Sequence, residues 1–167
     1  MALPQQKFRE IVFQLLYSYD IAQPEAADIT DLIMKELEVT KKTVREALDK
    51  VDKLTENRAA IDASIAKAST SYDFDRIQSV ERNILRLGVF EMFYDEQIPE
   101  KVAIAEAVRL ARKFGSPESA SFVNAVLDAL YKKSLGEKPD EEKIAQSAEA
   151  LKKMDEAIQH KVQEDEG

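Results

Sequence analysis

The side chains best suited to chemistry lie near the start of the chain and around 116–122. At about 100° per residue, a helix over 5–21 gathers Gln6, Arg9, Phe13 and Tyr17 on one stripe. Cations hold phosphates and aromatic rings stack bases, so this set suits a nucleic-acid surface. The same rings suit packing against a neighbouring helix, the commoner use of such a stripe. Ser116-Pro117-Glu118-Ser119 is a helix start: a capping serine, proline at the first helical position and an acid in the first turn. Its free N–H groups could receive a phosphate, with Phe122 less than two turns on as a stacking ring. The alternative is a capped helix with Phe122 in the core.

Residues for catalysis are scarce. There is one histidine, His160, in an acidic tail, and no cysteine. Nucleophilic triads, thiolate metal sites and paired Glu-x-x-His carboxylate sites therefore lack their parts. No glycine-rich phosphate loop is present. Glu81, Glu91 and Glu106 form an acid–base set only on paper, because helix carboxylates are usually solvated or ion-paired. The expectation is a non-enzyme with no cofactor and no metal.

The elements that must position these groups read as helices throughout. With 4 Gly and 5 Pro in 167 residues, breakers are few, and no alternating β-branched run suggests a strand. Over 5–21, Phe8, Ile11, Val12, Leu15, Leu16 and Tyr19 make a core stripe. Pro24 would open a second helix, about 25–38, with Ile29, Leu32, Ile33 and Leu37 facing inward. Thr40 would cap a third, running to about 68 along Val44, Ala47, Val51, Leu54, Arg58, Ile61 and Ile65. The polar stretch 69–75 is the main break, and Asp73 or Asp75 would cap the central helix beyond it. From Leu85 to Tyr94 the chain is apolar on most sides, the mark of a buried central helix. Gly88 within it costs about 1 kcal/mol against alanine and so points to close helix contact. Pro99 opens a further helix through Val102, Ala105, Val108 and Ala111, and Gly115 is a natural residue just past its end. The last helix of the body carries Phe122, Val123, Val126, Leu127 and Leu130.

The expected architecture is all-α, two small helical bundles around a central buried helix. A helical domain over 1–134 (halves 1–69 and 73–134) would precede an acidic tail over 135–167. Ten acidic and five basic residues in 134–167 account for −5 of the formal net charge of −8. That balance argues against indiscriminate nucleic-acid binding through a broad basic surface. No apolar run reaches about 18 residues and no signal-peptide pattern appears, so a cytoplasmic protein is expected.

Val80-Glu81-Arg82-Asn83-Ile84-Leu85-Arg86-Leu87-Gly88-Val89-Phe90-Glu91, Ile98-Pro99-Glu100-Lys101-Val102-Ala103-Ile104-Ala105-Glu106-Ala107-Val108, Lys113-Phe114-Gly115 and Phe122-Val123-Asn124-Ala125-Val126-Leu127-Asp128 closely resemble the NusB transcription antitermination family. Arg9-Glu10 followed by Leu16-Tyr17 fits that family's first helix. The likeness covers about 5–133, and the tail lies outside it. It implies an adaptor that binds the boxA element of ribosomal leader RNA together with the ribosomal protein NusE, within the elongating RNA polymerase complex. Carried over, the RNA contacts are Lys7, Arg9, Tyr17 and Phe122, and the NusE contacts are Arg86 and Glu91, with Glu118 near the shared edge. The family includes monomers and homodimers.

Two departures matter. The family's dense arginine cluster is thinned here by Gln5, Gln6 and Phe8, leaving Lys7 and Arg9, which implies weaker and less salt-sensitive RNA binding. Ala105 stands where the family commonly has asparagine. A protein-only binding module is therefore the alternative reading. A third, the NusB-like domain that precedes RNA methyltransferase domains, would need a separate partner for methyl transfer. The tail is either a solubilising extension or a competitor folded over the cationic face.

Overall fold

A computed structural model describes residues 4–22 and 25–166. Pro24, expected to open the second helix, lies outside them. The described residues are all helical, with no strand. The chain divides into two compact units, Met1–Ile61 and Asp62–Gly167.

In the first unit, α1 (Gln5–Ile21) and α2 (Ala26–Leu37) pack with α3 (Lys41–Glu56). The α1 bounds match the periodicity, and Ile11, Val12, Leu15 and Leu16 supply its buried stripe. Val44, Ala47, Val51 and Leu54 answer from α3. Thr40 caps α3 by accepting the Thr43 N–H at 3.2 Å. On α2 the inward stripe is narrower than expected, because Ile29 and Ile33 are buried while Leu32 stays 49% exposed.

The single helix expected over 40–68 is in fact two. α3 stops at Asn57 and α4 (Arg58–Ala68) begins at once. The Asn57 side chain donates to the Lys53 carbonyl at 2.9 Å, and its N–H turns to the Leu54 carbonyl at 3.0 Å, a tighter closure than an α-turn. Asparagine offers the backbone such local alternatives, and here they end the helix. The boundary between units falls within α4, upstream of the 69–75 break that the sequence suggested.

In the second unit, a 3-10 turn (Phe74–Arg76) leads into α5 (Ser79–Phe93). Asp73 caps that turn by accepting the Asp75 N–H, while α5 starts at Gln78 with no side-chain cap. α5, α6 (Glu100–Phe114) and α7 (Pro117–Ser134) pack pairwise. α5 is buried from Asn83 to Met92, as its apolar run requires. A Cβ on Gly88 would stand 2.7 Å from Leu127 Cδ1 and 3.3 Å from Ala107 Cβ, so glycine sets the α5–α7 and α5–α6 approach. α6 turns Ala103, Ala107, Leu110 and Ala111 inward and leaves Val102 44% exposed.

Gly115 does not adopt a left-handed conformation: φ is −121°. A side chain there would meet Ser119 Oγ at 2.7 Å and the Ala111 carbonyl at 2.8 Å. Gly136 carries the positive φ instead, 76°. Glu137 N–H reaches the Lys132 carbonyl at 2.8 Å and Gly136 N–H the Lys133 carbonyl at 3.0 Å, which closes α7 as a Schellman motif. The tail then forms α8 (Glu141–Glu166), which packs on α7 through Ile144, Ala148 and Leu151 and is exposed beyond Met154 and Asp155. No helix among the described residues is long and apolar enough to cross a membrane.

Candidate nucleic-acid interface and its surroundings

α1 holds three of the four residues expected to touch RNA. Lys7 and Tyr17 are part-exposed, whereas Arg9 is 5% exposed. The Phe13 and Tyr17 rings lie 6.1 Å apart at 35°, with Phe13 buried, so the second stripe of α1 serves packing at Phe13 and surface at Tyr17. Lys50 Nζ from α3 sits 6.0 Å from the Phe8 ring.

Phe122 requires correction. It is 0% exposed on α7, with its ring 5.7 Å from that of Tyr72. In this conformation it offers no stacking face. Its stripe with Val123, Val126 and Leu127 points into the core.

The expected protein-contact residues divide in the same way. Arg86 is 4% exposed and forms a bidentate pair with Asp62: Nε donates to Oδ1 at 2.8 Å and Nη2 to Oδ2 at 3.0 Å. Its Nη1 donates to Asn83 Oδ1 at 3.2 Å, and its guanidinium lies 5.6 Å from the Phe74 ring. Glu91 is 1% exposed. Both therefore build the unit's interior and do not face a partner directly. Glu118, in the first turn of α7, is part-exposed.

The α7 start is the more informative geometry. Ser116 Oγ accepts the Ser119 N–H at 3.1 Å, and Ser119 Oγ accepts the Ser116 N–H at 3.2 Å, a reciprocal capping box. Ser119 Oγ also donates to Glu81 Oε1 at 2.5 Å. Glu81 is 4% exposed and its second oxygen, Oε2, is buried with no hydrogen-bond partner. Burial pushes its carboxyl pKa up, against the lowering effect of the Ser119 hydroxyl. The N–H groups expected to receive phosphate are thus partly used by the box, beside a buried acid.

Sequence reasoning missed Tyr72. It is 4% exposed, and its hydroxyl donates to Asp155 Oδ2 on α8 at 2.8 Å. Burial, then the Asp155 bond, raises the phenol pKa; burial also raises that of Asp155, opposed by the phenol. An aromatic inside the polar 69–75 stretch, which also holds Phe74, was the available signal. His160 is exposed on α8 with Glu164 Oε1 3.5 Å away. Among the described residues, no group of three or more histidines and carboxylates is arranged to hold a metal.

Comparison with known proteins places this geometry. The model of the NusB family matches residues 6–132. The transcription antitermination protein NusB of Chlamydia pneumoniae is 38% identical over 128 residues, covering 77% of this chain and 80% of that relative. The NusB of Nitratiruptor sp. is 41% identical over 124 residues, covering 74% and 88%. Among solved structures, T. maritima NusB superimposes with a TM-score of 0.67 at 29% identity, covering 86% of this chain and 98% of that one. A crystal structure of NusB and NusE in complex with dsRNA gives a TM-score of 0.66 at 28% identity, covering 77% and 96%. With the family model covering both units as far as the last turn of α7, this chain belongs to the NusB family.

Proposed function

We propose that this chain is a transcription antitermination factor that binds boxA-type ribosomal leader RNA together with NusE. The observation that carries this reading is the family match across 6–132, joined to relatives named for antitermination and to a solved NusB–NusE–dsRNA complex. It acts as a non-catalytic adaptor in the cytoplasm, within the elongating RNA polymerase complex. Lys7 and Tyr17 are its accessible RNA-contact candidates, and Arg9 supports them from within α1. Glu118 is its accessible candidate at the protein-facing edge.

The test is boxA RNA binding with and without NusE across a salt series. Binding that strengthens with NusE supports the reading, and absence of binding to both overturns it. Lys7→Ala is expected to weaken binding and flatten the salt slope by about 0.7, as loss of one phosphate contact on single-stranded RNA does. Light scattering separates monomer from homodimer.

A protein-only module is favoured by one separate observation. A groove of about 740 Å³ in the second unit is lined by Lys67, Phe93, Tyr94, Lys133 and Ile144. Phe93 and Tyr94 are 43% and 42% exposed along it, apolar surface that such a groove would offer a protein partner. Under this reading NusE binds while Lys7→Ala and Tyr17→Ala leave every affinity unchanged.

A further inference from the structure

The family match ends at residue 132, before Gly136 and the whole of α8. The attachment of α8 is narrow. Ile144, Ala148 and Leu151 are its buried side chains, and Ile158 and Val162, further along the same seam, are 54% and 49% exposed. Beyond Leu151 the contact turns polar. Tyr72 donates to Asp155, Lys152 Nζ donates to the Ser71 carbonyl, and that same Nζ stands 5.3 Å from the Tyr72 ring centroid.

The fit is also incomplete. A cavity of about 310 Å³ separates Met154, Asp155 and Ile158 of α8 from Glu81, Ser116 and Ser119. Glu81, with its partnerless oxygen, is part of that lining. The surface under α8 thus presents a carboxylate, a main-chain carbonyl, hydroxyls and an aromatic face. The carboxylate, the carbonyl and the ring favour a cation, and at the carbonyl and the ring α8 supplies one, Lys152, while its Asp155 takes the Tyr72 hydroxyl. Phosphate would be repelled by Glu81. A basic protein segment suits the surface.

We propose that α8 is a displaceable cover over a protein-binding face, and that a basic partner segment competes with it by setting its own lysine or arginine where Lys152 sits. The inference rests on NusE being the protein partner. Three buried apolar side chains are a small anchor for a helix of 26 residues. The exposed linker around Gly136 lets α8 leave without unwinding α7, whose C-terminus is closed by its own hydrogen bonds.

The test uses the full chain and NusE. Ala148→Asp with Leu151→Asp places two carboxylates in the α8–α7 seam and detaches α8, which hydrogen exchange over 144–158 reads directly. NusE is expected to bind the detached form about tenfold more tightly. Tyr72→Phe, which removes one latch bond and keeps the ring, should give a smaller gain. In the native chain, NusE should raise exchange over 144–158 while the rest of the second unit stays protected. Equal or weaker affinity with α8 detached overturns the proposal, as does NusE binding that leaves α8 protection unchanged; both leave the proposed function standing. No NusE binding by either form, with α8 shown to be detached, overturns the NusE reading and the cover together.

Discussion

Glu81 is a carboxylate kept from water with one oxygen answered by Ser119 and the other unanswered. Its folded pKa lies above the ordinary 4.5, so the folded state holds that proton more tightly than the unfolded chain. Stability from this site is therefore greatest in acid and falls as pH rises from the ordinary value through the raised one. Glu81→Gln removes the charge penalty. Thermal melts should show the variant gaining on the native chain at pH 7, with the gap closing towards pH 4. Gly88→Ala tests packing against propensity. Overpacking costs about 1–3 kcal/mol and the helix gains about 1 kcal/mol, so with Leu127 Cδ1 at 2.7 Å urea unfolding should show a net loss of up to about 2 kcal/mol. Arg86→Ala removes the bidentate partner of Asp62. Breaking a fully buried pair costs about 3–5 kcal/mol, and the 22% exposure of the Asp62 side chain brings the expected loss to about 2–3 kcal/mol.

Among the elements, α7 is the one whose start was written most plainly. Ser116→Ala should cost about 1 kcal/mol in a urea titration, the usual worth of such a cap. Its serine, proline and acid act locally, which is why they can be read from order alone. The extent of α1 was legible for the same reason: its apolar stripe is regular and ends where the apolar residues end. The stop at Asn57 was not, because Leu54, Ile61 and Ile65 keep helical spacing across it. The break is made by one amide reaching back four residues. The fate of Phe122 was not legible either. Periodicity assigns a face, but what covers that face is Tyr72, fifty positions earlier and itself held by Asp155. Arg86 and Glu91 failed as surface candidates on similar grounds. A charge in an apolar helix signals a partner, and Asp62 on another helix of the same unit supplies it for Arg86. For Gly115 the residue type was informative but the reason was different, since it makes room for the capping box and no left turn.

At the scale of the whole molecule, a net charge of −8 sets the terms for any nucleic-acid encounter. Long-range attraction is absent, so association depends on contacts made at close range. With Lys7 the accessible cation among the four expected RNA contacts and Arg9 buried in support, one or two phosphates are neutralised. Each contributes a slope of about −0.7 for single-stranded RNA, so log affinity against log salt should fall no more steeply than about −1.5. Fluorescence titration of labelled boxA RNA across salt measures that slope, and a steep dependence would reveal cations beyond α1. NusE would then supply most of the remaining hold on the RNA, which makes the joint affinity the relevant quantity.

The Schellman closure at Gly136 has a bearing on heredity as well as on geometry. Because the last carbonyls of α7 are answered locally, nothing downstream has to finish the helix. A gene encoding such a stop can lengthen or shorten a trailing segment without retuning the end of α7 itself. The join is thus where a protein engineer could exchange the appendage, with a replacement that again covers α7 and meets Tyr72.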